Sequence, residues 1–204
     1  MFISKDNRNT NAEEIKEFLK ANSFGILVTQ HDGRPWATHI PLEFDTDKDG
    51  SEVLNGHLSR GNPQWKSFTE ESEVLAIFHG PNAYISSSWY DHENVPTWNY
   101  IAVHVYGRIR LIEGEELIEI MKKQVHKHEL ASEKPIAVER MSKEFVETEI
   151  KGIVGFQIKI GEVQASYKLS QNRDSKNHEN IVKELEKRGD PHSRNIANEM
   201  KKKR

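Results

Sequence analysis

The sequence predicts a mainly β fold of the α+β type: an antiparallel β-barrel with peripheral helices and a C-terminal helical tail. Several short β-rich segments follow one another in hairpin order, which implies antiparallel pairing. Their number and closely spaced turns favour a barrel over an open sheet. The chain has 204 residues, of which 35% are hydrophobic and 30% charged, so its core must be concentrated in part of the sequence. The densest apolar segments are 74–78, 101–105 and 153–160.

The first half of the chain carries one helix and several strands. Asn11 can cap a helix over 11–20 whose apolar residues share one face. The Asp32-Gly33 pair lies between two apolar runs and predicts a hairpin turn. Asn62 and Pro63 have the residue types that begin a short helix. The predicted strands in this half are 24–30, 35–44, 52–58, 73–79 and 83–87.

The second half alternates strands and helices. We predict strands at 98–112, 150–160 and 163–169, and helices at 114–130 and 142–148. After these, two polar helices broken near Gly189-Asp190-Pro191 form a tail. We therefore expect a barrel domain over residues 1–173 and a helical tail over 174–204.

Charge and composition restrict the class of protein. The net charge is −3, whereas a chain that coats nucleic acid carries a clustered basic excess. Only residues 174–204 are mildly basic, with 9 Lys and Arg against 6 Asp and Glu. The chain lacks cysteine, so disulfides, thiol nucleophiles and cysteine metal sites are excluded. It shows neither a signal-peptide pattern nor a long apolar run, and we expect a cytoplasmic protein without membrane partners.

The segment from Gly56 to Trp65 has the residue types of a phosphate site. Ser59 offers a hydroxyl, Arg60 offers a forked cation, and the following helix start offers free backbone N–H groups. The alternative is a capped turn with a surface arginine. Both interpretations remain open from these residues alone.

The segment from Ser86 to Tyr106 combines aromatic rings with hydroxyls and an amide. Such combinations hold planar ligands. The alternative is that Trp89, Tyr90, Trp98 and Tyr100 close the ends of a barrel or are buried in a dimer interface.

Residues 168–173 follow the last predicted strand and bring two cations, a hydroxyl and two amides together. These residue types suit a polar loop at the edge of a ligand site, although the same residues would also be ordinary in a surface loop.

The sequence assigns no catalytic residue and no metal site. No histidine pair has the helical i, i+4 ligand spacing with an intervening acid, although a composite site of His39, His57 and His104 is conceivable. A Gly-x-Ser-x-Gly nucleophile elbow, a Gly-x-Gly-x-x-Gly motif and a P-loop are all absent from the sequence.

Taken in order, these segments resemble the PaiB family, FMN-binding negative regulators of transcription on the split β-barrel fold. The resemblance covers about residues 1–175. The matching stretches are Pro35–Leu42, Gly56–Trp65, Phe78–Tyr90, Val95–Gly107 and Lys168–Arg173.

The resemblance implies a homodimer of two split barrels with FMN at their interface. It places the flavin phosphate on Ser59 and Arg60, and the isoalloxazine ring against strand backbone near Thr38–Ile40. The full set of cofactor-binding residues that it implies is Thr38, His39, Ile40, His57, Leu58, Ser59, Arg60, Asn62, Trp98, Asn99, Tyr100, Gln171 and Arg173. One departure is that Ala37–Leu42 lacks the Arg and Lys that help to bind phosphate in the oxidases of this fold.

The resemblance also implies the function, a repressor of protease-synthesis and sporulation genes rather than an enzyme. The sequence itself offers no clear helix-turn-helix, and the charged face of the tail is typical of a solvated helix. The sequence therefore gives only weak support for direct DNA binding. One alternative is an FMN-dependent oxidoreductase acting on a small molecule, since a flavin needs little acid–base help. Another is an adaptor dimer that has lost its flavin.

Overall fold

The computed structural model describes residues 1–203, which form eight β-strands and five α-helices. The strands are β1 (Arg8–Asn9), β2 (Phe24–His31), β3 (Arg34–Pro41), β4 (Glu43–Thr46), β5 (Glu52–Ser59), β6 (Glu73–Ile85), β7 (Thr97–Ile112) and β8 (Ile153–Lys168). The α-helices are α1 (Ala12–Ala21), α2 (Gly114–Glu129), α3 (Lys143–Lys151), α4 (Ser175–Arg188) and α5 (Pro191–Lys202). Among residues 1–203, no helix has both the length and the apolar character needed to span a bilayer.

The strands join in the order β3-β2-β6-β7-β8-β5-β4, and the short β1 pairs with β8. Strands β2 and β6 pair antiparallel with Ile26 opposite Ile77, and β5 pairs with β8 with His57 opposite Gly155. Strands β3 and β4 lie at the two ends of this order. The predicted antiparallel, mainly β architecture is therefore what the chain forms.

The chain separates into two compact units, and each of the strands β6, β7 and β8 contributes residues to both units. The first unit contains residues 1–22, 78–104 and the chain from 163 onward, and the second contains residues 23–77 and 105–162. Helices α4 and α5 belong to the first unit and pack on each other. Apolar side chains of both helices are buried, including Ile181, Leu185, Ile196 and Met200, so one face of the predicted tail is part of a packed core.

Local sequence signals predicted the turns and caps correctly. Asp32 and Gly33 have φ angles of 50° and 72°, the left-handed pair that a tight hairpin needs. Asn11 accepts a hydrogen bond from the Glu14 N–H at the start of α1, and Asn62 caps a short 3₁₀ helix over Pro63–Ser67. The break between α4 and α5 falls at Gly189, where φ is 74°.

The strand boundaries differ from prediction in three places. The segments 73–79 and 83–87 form the single strand β6, and 150–160 and 163–169 form the single strand β8. Gly80 lies within β6, and a Cβ added there would lie 2.8 Å from the Phe18 ring, so this glycine allows close packing. The segment 35–44 is divided at Leu42, which is fully buried and donates its N–H to the Ser23 carbonyl at 2.7 Å.

Gly107 gives a test of the packing between β7 and β8 in the second unit. A Cβ on Gly107 would lie 2.3 Å from the Lys159 carbonyl oxygen, whereas one on Gly161 would meet the Tyr106 carbonyl oxygen at an ordinary 3.6 Å. We expect Gly107→Ala to lower the free energy of unfolding by about 1–3 kcal/mol, because the backbone must move. Gly161→Ala is the matched control, and urea unfolding measures both. Equal effects of the two changes would contradict this packing.

Candidate functional site

The predicted cofactor-binding residues fall into one group in each compact unit, and each group is described by itself. The second unit holds Thr38, His39, Ile40, His57, Leu58, Ser59, Arg60 and Asn62. The first unit holds Trp98, Asn99, Tyr100, Gln171 and Arg173.

Arg60 fixes the end of β5 against the beginning of β8. Its backbone N–H donates to the Gly152 carbonyl at 2.8 Å. Its side chain donates from Nε to the Lys151 carbonyl at 2.7 Å and from Nη2 to the Ile153 carbonyl at 2.8 Å. The residue is nevertheless exposed, as is Ser59 beside it. Nε and Nη2 of Arg60 therefore bind backbone at the start of β8. The other N–H groups of this exposed guanidinium are available to an anion.

A buried amide, Gln64, orders the polar residues next to β3. Gln64 is 0% exposed. Its Nε2 donates to the Thr29 hydroxyl at 3.1 Å and to the Leu27 carbonyl at 3.2 Å, and its Oε1 accepts from the Thr38 hydroxyl at 2.6 Å. The Asn62 amide in turn donates to the Thr38 hydroxyl at 2.9 Å. Thr38 and Asn62 therefore use these side-chain groups internally, and the Asn62 backbone N–H also donates to the Ser59 carbonyl at 2.9 Å.

Sequence reasoning missed Gln64, because a glutamine in the first turn of a short helix is ordinarily at the surface. The one local signal is its place directly after the Asn62-Pro63 helix start. Only the fold shows that this turn points the amide inward.

Strand β3 presents a free edge in the second unit. It lies at the end of the sheet order, and β2 is its strand partner within the described part of the chain. His39 is exposed on this strand, and its ring stacks 6.5 Å from that of Phe24, which is 66% exposed. Ile40, by contrast, is buried in the core. Unpaired strand backbone flanked by exposed rings is a surface suited to a planar ligand or to another chain.

His57 has a buried ring nitrogen without a hydrogen-bond partner in residues 1–203. Its Nδ1 is inaccessible to solvent and lacks a hydrogen-bond partner there. Burial lowers the pKa of the His57 imidazole from its ordinary value of 6.5, so the ring is neutral at neutral pH. The neighbouring Leu58 is buried as part of the core. Because an unsatisfied buried polar group is costly, His57 is the residue of β5 that a polar ligand atom would stabilise most.

In the first unit, Asn99 is structural and Trp98 is accessible. Asn99 is fully buried, accepts from the Ser170 hydroxyl at 3.1 Å and donates to the Met200 sulfur at 3.5 Å. Trp98 is 53% exposed, and its ring meets the edge of Tyr84 at 5.8 Å. Tyr100 is half-buried. Trp98 is therefore the ring of this group that can stack on a ligand.

Gln171 and Arg173 have different roles in the loop that follows β8. The Gln171 side chain accepts from the Leu169 N–H and donates to the carbonyls of Asp6 and Tyr167, each at 2.7 Å. Gln171 therefore holds the backbone of the loop in place. The Arg173 guanidinium lies 5.2 Å from the centre of the Tyr90 ring.

The chemistry of these groups suits a phosphorylated, planar cofactor. In the second unit, the hydroxyl of Ser59 and the guanidinium of Arg60 can hold a phosphate, and His57 offers a polar atom without a partner. The free backbone edge of β3 can hydrogen-bond to the rim of a ring. In residues 1–203, no three His, Cys, Asp or Glu side chains are grouped to hold a metal ion.

Comparisons with known proteins identify a family. Residues 1–162 match the family model described as "Putative FMN-binding domain". The Bacillus subtilis protein named "Protease synthase and sporulation protein PAI 2" is 46% identical over 203 residues, which cover 100% of this chain and 98% of that protein.

Solved structures share the fold at low sequence identity. The flavocytochrome Anf3 from Azotobacter vinelandii superposes with a TM-score of 0.60 at 17% identity, covering 81% of this chain and 72% of that one. An FAD and heme binding protein from Mycobacterium smegmatis superposes with a TM-score of 0.58 at 16% identity, covering 87% and 80%. The predicted fold class, an antiparallel split β-barrel with added helices, is confirmed.

The lowered pKa of His57 predicts a pH-dependent stability. The folded protein binds a proton at His57 only at lower pH than the unfolded chain does, where the pKa is about 6.5. The free energy of unfolding therefore decreases as the pH falls below about 6.5, and this loss ends once the pH is below the folded-state pKa. Urea unfolding between about pH 5 and pH 8 measures the effect.

We expect His57→Gln to make that decrease shallower, because the titrating group is gone. The matched control is His126→Gln, at an exposed position of α2, which should leave the slope unchanged. A slope that is identical in the wild type and in His57→Gln would refute the assignment to His57.

Proposed function

The chain belongs to the PaiB family of FMN-binding proteins, and from this premise we propose that it is a negative regulator of transcription that acts on degradative-enzyme and sporulation genes. One observation carries the proposal: the match to the Bacillus subtilis protease-synthase and sporulation protein extends over essentially the whole of both chains. The match therefore includes α4 and α5, which lie beyond the FMN-binding family model.

FMN is the cofactor of this family, so the expectation of FMN is confirmed. We propose that Ser59 and Arg60 hold its phosphate, and that the backbone of β3 over 38–40 and the His57 side chain contact its ring. When bound, FMN supplies one- and two-electron redox chemistry. The residues of this chain contribute binding and orientation, since none of the proposed contacts is placed as a general acid or base.

A second copy of the chain is the partner that the β3 edge supports. Phe24, Trp36 and His39 expose rings beside unpaired strand backbone in the second unit. An edge of this kind, left unprotected, pairs with other chains, and a twofold dimer covers the same patch on both protomers. We propose a homodimer on this basis.

The lysines at the end of the chain support only a minor part in any binding of DNA. Lys202 and Lys203 each contact a glutamate at 2.6 Å, Glu199 and Glu14 respectively, and Lys201 contacts Glu186 at 2.5 Å. Cations already paired with carboxylates add little to a phosphate-binding surface. If the regulator contacts a promoter directly, we propose that it does so without these lysines.

Electrophoretic mobility of a promoter fragment tests the role of the tail. Truncation would remove buried residues of α4 and α5, so we choose the charge reversal Lys201→Glu, Lys202→Glu, Lys203→Glu. We expect the same retardation as for the wild-type protein at low salt. Retardation by the wild type that is lost in the triple variant would contradict the proposal for the tail. Absence of retardation for both proteins would contradict direct repression.

Arg60→Ala tests the phosphate contact. Removing a charge-assisted contact should weaken FMN affinity by about tenfold or more. Riboflavin, which lacks the phosphate, is the control ligand, because loss of the Arg60 hydrogen bonds to the Lys151 and Ile153 carbonyls would disturb both ligands alike. Fluorescence quenching measures each affinity. An unchanged ratio of FMN to riboflavin affinity would show that Arg60 does not bind the phosphate.

A further inference from the structure

The loop after β8 borders a small cavity in the first unit. Of its lining residues, Arg173 alone is among the FMN contacts that the family resemblance implies, and none is Ser59, Arg60, His57 or part of β3. The volume of the cavity is about 160 Å³. We call it the loop cavity. Side chains of both charge signs and several hydrogen-bonding groups line it, among them Asp6, Thr97, Lys168, Ser170, Asn172 and Arg173.

Two cations face the loop cavity without a neutralising ion pair. The Lys168 Nζ donates to the Thr97 hydroxyl at 2.5 Å, and the Arg173 guanidinium lies over the Tyr90 ring. Within residues 1–203, neither cation forms a salt bridge, and Asp6, the acid among the lining residues, pairs with neither. Both cations are half-buried, so they are partly desolvated. Two cations against one acid give the cavity a net positive charge, which favours an anion.

The loop is held rigidly around these cations. Ser170 is only 7% exposed and has a φ of 57°, an uncommon conformation for a residue other than glycine. Its hydroxyl donates to the fully buried Asn99 at 3.1 Å. Gln171 holds three backbone groups, on Leu169, Asp6 and Tyr167. Strained backbone that several tertiary hydrogen bonds maintain is typical of a functional site, because it preorganises the binding groups.

We propose that the loop cavity binds a phosphate group, either of free inorganic phosphate or of a phosphate monoester. Its volume is below the usual 300–1,000 Å³ or so of pockets for drug-sized ligands, so it takes a small anionic group and leaves out a ring system. The forked donors of Arg173 match phosphate oxygens, and the ammonium of Lys168 adds a mobile point charge. Ser170 and Asn172 line the same space. This site does not depend on the proposed function, since free phosphate is sufficient to occupy it.

Binding of inorganic phosphate to the full chain is the first test. We expect the wild-type protein to bind phosphate at millimolar concentration by isothermal titration, and to be stabilised by it against heat as binding to the folded state requires. Lys168→Met and Arg173→Met keep the apolar stems of these side chains and remove their charges. Each should weaken phosphate affinity by about tenfold or more.

The matched controls are Lys183→Met and Arg194→Met, at exposed positions of α4 and α5 in the same unit. They should leave phosphate affinity unchanged, and circular dichroism establishes that each variant is folded. Failure of the wild-type protein to bind phosphate would overturn the proposal whether or not the variants fold. Equal loss of phosphate affinity in the site variants and in the controls would overturn the proposal as well. Such a result would show that phosphate responds to the overall charge of the protein and not to this cavity.

The source of the phosphate follows from comparing FMN with riboflavin on the same variants. If Lys168→Met and Arg173→Met weaken inorganic phosphate but preserve the preference for FMN over riboflavin, the site takes a free anion or another ester. If that preference is lost too, the site takes the phosphate of FMN, and the role proposed for Arg60 fails while the loop cavity stands. Unchanged affinity for phosphate and for FMN in both variants would refute the site.

Discussion

The register between β5 and β8 is the constraint on which the candidate site in the second unit depends. The pairing runs from Val53 opposite Lys159 to Ser59 opposite Ile153. Arg60 closes its end with three hydrogen bonds, one from its backbone N–H to the carbonyl of Gly152 and two from its guanidinium to the carbonyls of Lys151 and Ile153. This pairing places Ser59 at an exposed strand end and keeps the Nδ1 of His57 buried without a partner. One cation thus both completes the fold and remains exposed at the point where an anion can bind. Its contribution to stability and its contribution to binding must therefore be measured separately.

Buried amides give the rest of the site its rigidity. Gln64 connects Leu27, Thr29 and Thr38 in the second unit, and Asn99 and Gln171 hold the loop after β8 in the first. A buried amide is stable only when its donors and acceptors are satisfied, so the hydrogen bonds of Gln64 and Asn99 fix the local geometry. Among the predicted cofactor contacts, Asn99 and Gln171 have side chains that form hydrogen bonds within the protein.

Local chemistry made much of the fold predictable. The Asp32-Gly33 turn and the caps at Asn11 and Asn62 follow from short-range rules, and the structure contains them. The lengths of β6 and β8 could not be predicted, because the continuity of each strand depends on pairing with strands that are distant in the sequence. The burial of Gln64 and the pairing of the terminal lysines with Glu186, Glu199 and Glu14 depend on tertiary contacts that no local pattern contains. Motifs thus predicted segments with the residue types of a phosphate site, and the fold shows which of their side chains already form internal hydrogen bonds.

We propose that this chain binds a phosphorylated flavin through groups that its own fold positions. Titration of the purified wild-type chain with FMN, followed by flavin fluorescence and visible absorbance, tests it most directly. We expect saturable quenching with a shifted absorbance spectrum, and weaker binding of riboflavin under the same conditions because the phosphate contacts are missing. Absence of any quenching or spectral shift on addition of FMN would contradict it.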